Sequence, residues 1–191
     1  MQLQFDLPKD VTRIWDVYVP IVHTDNGFTA YLTNQIADPE EYNELCFLLN
    51  NATPDQEIEL VLNTPGGMLD SALMIMDAIK NCKATVKVRL TGTVASAGTI
   101  IALACNKLEA APHLSFMIHN YSGGVVGKAH EIKSQQDFTE KNLTSAFKSF
   151  YDGFLTPREM KKVIKGEDMW MNQEEVLKRW NKKLKENKKE Q

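Results

Sequence analysis

Three short stretches hold residue types that can do chemistry together. "TGTVASAGTIIALAC", Thr91 to Cys105, has one serine, Ser96, among small uncharged side chains. "TPGG", Thr64 to Gly67, puts two glycines after an apolar run, and "SFMIHN" ends on His119 and Asn120. A serine hydroxyl becomes a useful nucleophile when a histidine takes its proton during attack. Backbone N–H groups at a turn or helix start can then hold the negative charge that develops on an acyl oxygen. Each stretch also has a plainer reading. Ser96 suits a helix N-cap, Pro65-Gly66-Gly67 a simple turn, and His119 a hydrogen-bonded core histidine. The chemical reading gains from where all three fall.

Hydrophobic periodicity supplies the elements that must position them. "ADPEEYNELCFLLNNA" predicts a helix opened by Asp38-Pro39, and "IELVLN", 58–63, a buried strand. "MLDSALMIMDAIKNCK" predicts a helix with Leu69, Ala72, Leu73, Met76 and Ile79 on one face. "ATVKVRLTG" alternates Val86, Val88 and Leu90 with Lys87 and Arg89, a strand with one wetter face. "ASAGTIIALAC" reads as a helix, "HLSFMIHN" as a strand, and Lys128 to about Phe150 as a long helix striped by Ile132, Leu143, Phe147 and Phe150. Alternating strands and helices predict an α/β fold. Sites in such folds gather beyond the C-terminal ends of strands. The glycine turn follows 58–63, Ser96 follows 84–91 and begins a helix, and His119 ends 113–118.

Composition narrows the setting. A chain of 191 residues suits one domain, and 43% hydrophobic with 25% charged residues is ordinary for a globular protein. The net charge of −3 gives no basic field for nucleic acid, so no nucleic-acid partner is expected. The tail 178–191, "KRWNKKLKENKKEQ", carries seven Lys/Arg against two Glu, and reads as a solvated, partly frayed helical end. Three widely spaced cysteines, Cys46, Cys82 and Cys105, fit neither a disulfide framework nor a zinc site, and suit a reducing cytoplasm. The uncharged run 90–106 is too short and too rich in Gly, Thr and Ser for a membrane span, and the N-terminus lacks the apolar core of a signal peptide. "GTVASAGT" lacks the lysine of a phosphate-binding loop, and His130-Glu131 lacks a second histidine in zinc spacing, so no metal is expected.

"LVLNTPGG", "GTVASAG", "SFMIHN" followed by Gly123-Gly124, and "EDMWMNQEE" occur in the order and spacing of the Clp protease proteolytic subunit, which this chain resembles over roughly residues 13–177. The resemblance implies the ClpP/crotonase fold: α/β, built of stacked ββα-type repeats with a protruding handle helix. It implies a single domain, with a head over about 14–127, a handle region over 128–160 and the charged tail at 178–191. Carried across by motif, the nucleophile is Ser96, the base His119 and the acid Asp168. The oxyanion-hole N–H groups are those of Gly67 and Ala97. Met68, Gly123 and Gly124 are the candidates to hold an extended peptide as an added strand, with little side-chain preference.

Glu167 precedes Asp168 where the family usually has a basic residue, so Asp152 and Asp137 stand as alternatives for the acid. Tyr121 stands where a proline is common, and "LKRWNKKLKENKKEQ" replaces the usual ending beyond Val176. The implied activity is a serine endopeptidase acting on unfolded proteins inside two stacked seven-membered rings. A hexameric AAA+ ATPase would feed the chamber, and ATP would be that partner's cofactor; the chain itself would bind none. Two other readings remain open at this level. One is a catalytically inactive ring subunit. The other is an acyl-CoA enzyme of the crotonase fold.

Overall fold

The structure is a computed structural model describing residues 18–124 and 126–187. The N-terminal stretch read above for a signal peptide lies outside these residues, as do the last four positions of the tail.

The chain opens with a hairpin, β1 (Ile21–Thr24) and β2 (Gly27–Leu32), paired antiparallel around the Asp25-Asn26 turn. A 3-10 turn (Pro39–Tyr42) runs into α1 (Asn43–Asn51). β3 (Glu57–Thr64), α2 (Leu69–Asn81), β4 (Thr85–Ala95) and α3 (Ala97–Ala104) come after it. Next are β5 (Lys107–Ala110), β6 (Ser115–Ile118), α4 (Ala129–Phe150), α5 (Pro157–Ile164), β7 (Met169–Met171) and α6 (Gln173–Asn187). The strands form one sheet in the order β1-β2-β3-β4-β6-β7, with β5 also paired to β4. β2, β3, β4, β5 and β6 run parallel to one another, while β7 returns antiparallel to β6. This is the α/β architecture expected from the alternating pattern.

The sheet's two faces arise from the sequence alternation. Ile58, Leu60, Leu62, Val86, Val88 and Leu90 point into a core that also holds Leu45 and Leu49 of α1, Ile75 and Ile79 of α2 and Ile100 and Ile101 of α3. Burying each such side chain contributes roughly 1.5–3 kcal/mol before entropy is counted. The opposite face carries Glu59, Lys87, Arg89 and Glu109. Lys87 Nζ lies 3.4 Å from Glu59 and 2.9 Å from Glu109, and Arg89 Nε lies 3.4 Å from Glu59. The wetter face of 84–91 is therefore a ladder of ion pairs across three strands.

β4 differs from the expected strand in its length. It continues past Leu90 to Ala95 because its two halves have different partners. Lys87–Leu90 pair with β5, and Thr93–Ala95 pair with β6. Between the halves the register with β3 shifts, from Leu62↔Leu90 to Thr64↔Val94. Gly92 takes φ 56° there, where a Cβ would crowd the Asn63 side chain, and Asn63 Oδ1 accepts from the Thr93 N–H. Such irregularities bend a strand and re-aim the residues beyond the bend. Here they deliver β4 directly into the turn at Ser96.

The tail also differs from its reading as a solvated end. α6 starts at Gln173, and its Val176 and Trp180 are buried. Arg179 forks onto Glu159 of α5 at 2.8 and 2.9 Å and reaches Glu175 at 2.7 Å. Lys178, Lys182 and Lys185 around this anchor are exposed, but Arg179 and Trp180 fasten α6 to the body. Among the described residues, no helix is long and apolar enough to cross a membrane.

Candidate active site

Ser96 sits between β4 and α3 with φ 53° and ψ −125°, a backbone conformation that non-glycine residues rarely adopt. Strain of this kind costs about 1–3 kcal/mol and persists only where neighbouring bonds enforce it. They do so on both sides of the residue. The Ser96 N–H donates to the Met117 carbonyl at 2.9 Å, and the Ser96 carbonyl accepts from the Thr99 N–H at 2.9 Å. The serine occupies the N-cap position of α3, yet its side chain makes no capping bond. Its hydroxyl Oγ instead lies 2.7 Å from His119 Nε2. The helix-cap reading of Ser96 and the core reading of His119 both give way to this pair.

The small residues around Ser96 are a packing requirement. A Cβ on Gly66 would lie 2.6 Å from the Ser96 Cβ and 2.8 Å from the Ala95 carbonyl, and one on Gly98 would lie 2.5 Å from the Thr64 methyl. Gly66 and Gly67 both take positive φ, 94° and 147°. Gly67 forms a bridge with Ile36 and is so close to it that a Cβ would run into the Ile36 carbonyl. In that bridge the Ile36 N–H donates to Gly66 and the Met68 N–H to Ile36, at 2.7 and 2.9 Å. The ladder thus engages the N–H of Met68 and leaves that of Gly67 on the other side of the strand. The Ala97 N–H is at the first position of α3, where no intrahelical acceptor exists. The helix macrodipole adds partial positive charge there. Met68 stands beside this turn and is 44% exposed.

The remaining candidates are placed less tightly. Asp168 is exposed and leads into β7. The β6–β7 register pairs Ile118 with Met169, so one step beyond the ladder Asp168 falls opposite His119. No hydrogen bond or ion pair joins its carboxylate to the imidazole. Asp137 projects from α4 and pairs with Lys133 at 3.4 Å, and Asp152 is exposed beyond the end of α4; neither pairs with His119. Gly123 and Gly124 lie in an exposed irregular segment between β6 and α4, where an added Cβ would meet nothing within 4 Å. Among the described residues, no group of three or more His, Cys, Asp and Glu side chains could hold a metal ion.

Several supporting residues have no motif of their own. Asn120 Nδ2 donates to the Ile164 carbonyl at 3.0 Å, tying the end of β6 to the end of α5. Lys162 Nζ meets Glu167 at 2.8 Å, beside Asp168. Thr99 Oγ1 lies 2.7 Å from the Tyr151 hydroxyl, with both residues buried. Only the isolated polar Thr99 inside an otherwise apolar helix hinted at the last of these.

The site thus joins a strained serine between strand and helix, its hydroxyl on a histidine, and a glycine bridge beside it. The family model for Clp protease matches residues 25–179. The chain belongs to the Clp protease family. Among curated relatives, it is 32% identical over 131 residues to "ATP-dependent Clp protease proteolytic subunit 1" of Chlamydia caviae, covering 64% of this chain and 66% of that protein. It is 29% identical over 133 residues to the protein of the same name from Chlamydia muridarum, covering 68% and 69% respectively. The matched portion thus spans about two thirds of the length of these relatives.

Proposed function

We propose that this Clp-family chain is a serine endopeptidase subunit that hydrolyses peptide bonds of unfolded polypeptides through an acyl-enzyme. The 2.7 Å contact between Ser96 Oγ and His119 Nε2, made by a serine whose strained backbone denies it a capping role, carries the reading. Nε2 takes the hydroxyl proton as Oγ attacks the scissile carbonyl. The N–H groups of Gly67 and Ala97 receive the oxyanion of the tetrahedral intermediate, each worth about 3–4 kcal/mol of barrier. Collapse expels the amine, which takes its proton from the imidazolium. Water then attacks the acyl-enzyme with His119 again as base. In the reacting complex we assign Asp168 to turn onto His119, accept a hydrogen bond from Nδ1–H and stabilise the imidazolium. Its placement opposite His119 in the β6–β7 register supports this role. Met68, Gly123 and Gly124 flank an extended substrate, and the open space at both glycines is consistent with that.

The assembly we propose is two stacked heptameric rings in the cytoplasm, fed by an AAA+ Clp-type ATPase that uses the ATP. Along α4 only Phe147 is buried, and Phe138 is 69% exposed, so the helix has apolar surface to offer a second copy. Enclosure explains how a peptidase with little side-chain preference spares folded proteins. One observation favours the second reading, an inactive ring subunit: the Asp168 carboxylate makes no bond to His119. A fluorophosphonate probe separates the two. Labelling at Ser96 that disappears in His119→Ala is the expected result, and an assembled ring that never labels overturns the peptidase reading.

A further inference from the structure

An oxyanion hole is only as good as the aim of its donors, and the Ala97 side chain has no means of aiming its own N–H. A peptide unit is planar and trans, so the Ala97 N–H points opposite to the Ser96 carbonyl. Whatever fixes that carbonyl fixes the donor. Two groups of Thr99 hold it: the N–H at 2.9 Å and the hydroxyl Oγ1 at 2.7 Å. A threonine bonding back to the start of its own helix is common. A second buried hydroxyl arriving from 52 residues away is not a local effect. The Tyr151 hydroxyl lies 2.7 Å from Thr99 Oγ1. Because the Thr99 hydrogen is committed to the Ser96 carbonyl, Tyr151 is the donor in this bond. Thr99 is fully buried and Tyr151 is 1% exposed, so water is no alternative partner for either hydroxyl. Burial pushes the Tyr151 phenol well above its usual range and so keeps the donating proton in place.

The backbone shows what the arrangement prevents. With φ at 53°, half a turn of the 96–97 peptide plane takes ψ from −125° to about +55°. That is the left-handed helical region for Ser96, but the same half-turn would carry φ of Ala97, the first residue of α3, out of the helical range, so the helix start and the Thr99 bonds resist the flip together. In the flipped state the Ala97 N–H would face away from the acyl oxygen.

We propose that Tyr151 and Thr99 are positioning residues: Tyr151 donates to Thr99, Thr99 donates to the Ser96 carbonyl, and the relay holds the Ser96–Ala97 peptide in the orientation that aims the Ala97 N–H at the oxyanion. The inference rests on the serine peptidase reading. It links the oxyanion hole to the base of the handle, since Tyr151 directly follows α4.

The test uses the full chain in its assembled form. Tyr151→Phe and Thr99→Val each remove one hydroxyl with little change of shape, and Thr99→Ser keeps the hydroxyl. Active sites are counted with a fluorophosphonate, and kcat and KM are measured per counted site on a short fluorogenic peptide. Inhibition by a peptide boronate, whose tetrahedral adduct carries an oxygen in the oxyanion position, is read in parallel. Tyr151→Phe and Thr99→Val should lose about 10–100-fold in kcat, a fraction of what deleting a whole donor costs. KM should stay within about twofold, boronate affinity should fall in step with kcat, and Thr99→Ser should retain most of the wild-type rate. A purely structural role would lower thermal stability and the number of titratable sites while leaving kcat per site alone. That outcome, a change confined to KM, or equal impairment of Thr99→Ser and Thr99→Val overturns the inference. Should Thr99→Val fail to fold, Tyr151→Phe and Thr99→Ser decide the matter by the same criteria. A wild-type protein that neither labels nor cleaves overturns the peptidase reading and this inference with it. An active wild type with unchanged variants overturns the inference alone.

Discussion

The two sides of the site are held by different kinds of force. On the serine side every restraint is neutral and at least half-buried: Met117 accepts from the Ser96 N–H, Thr99 and Tyr151 secure its carbonyl, and Gly66 lies against its Cβ. On the acid side the restraints are largely ionic and partly exposed. Asn120 ties the end of β6 to α5, Lys162 pairs with Glu167 next to Asp168, and Arg179 of α6 grips Glu159 of α5. The difference teaches that Ser96 is set by the core, whereas Asp168, the acid we propose, depends on how two surface helices are clamped. Acid and salt should therefore reach one side before the other.

The largest effects should come from the reacting pair itself. His119→Ala or Ser96→Ala should lower peptide cleavage by at least about 10⁴-fold without loss of folding, since such groups act as a unit. Asp168→Asn tests the weaker side directly. We expect a loss of about 10²–10⁴-fold in kcat with fluorophosphonate labelling slowed in proportion, as for an acid that sets the imidazole tautomer. Full activity in Asp168→Asn, with Asp137→Asn or Asp152→Asn inactive, would move the acid elsewhere and dissolve the contrast between the two sides.

The contrast also explains what the sequence could reveal. Local rules were enough for the serine side. The continuous apolar strand 58–63, the Pro-Gly-Gly break and the small-residue helix start each carry their own signal, and His119 ends a strand with an alternating pattern. The hairpin β1–β2, the short β5, β6's return partner β7 and helix α5 were not predicted from periodicity. A four-residue strand such as Lys107–Ala110 has too few positions to show an alternation, and it exists because β4 offers it an edge. The anchor in the tail was hidden for a related reason. Arg179 and Trp180 sit among six Lys residues in 178–191 whose charge dominates composition, and only the distant Glu159 distinguishes Arg179 from them. Asp168 had only the family motif to single it out, because the restraints around it join elements that are remote in sequence.

Two glycine substitutions compare the tight turn beside Ser96 with the open segment after β6. Gly66→Ala would force a Cβ to 2.6 Å from the Ser96 Cβ at φ 94°, so we expect about 2–3 kcal/mol of lost stability in urea unfolding, together with loss of labelling at Ser96. Gly124→Ala meets nothing within 4 Å and should leave stability within about 0.5 kcal/mol, with any effect confined to the KM of peptide substrates. Equal destabilisation by both would mean that the serine side is not the more tightly packed.

The smallest effect separates neutral from ionic restraint by its pH dependence. The Arg179 guanidinium, with the Thr156 N–H and hydroxyl, holds the Glu159 carboxyl at about 2, below its ordinary 4.5. A depressed carboxylate contributes stability that is fully present above the unfolded value and is lost as pH falls from about 4.5 toward about 2. Because 24% of the Glu159 side chain remains exposed, solvent screening limits this to about 1–2 kcal/mol. Glu159→Gln should therefore cost that amount at pH 7, and the gap from wild type should close between about pH 4.5 and 2 in urea unfolding at stepped pH. The loss in Tyr151→Phe, which removes one neutral hydrogen bond, should stay constant over the same range, because neither Thr99 nor Tyr151 titrates there. Parallel pH profiles for the two variants would show that α5 and α6 are not held by charge, and that the acid side is built like the serine side after all.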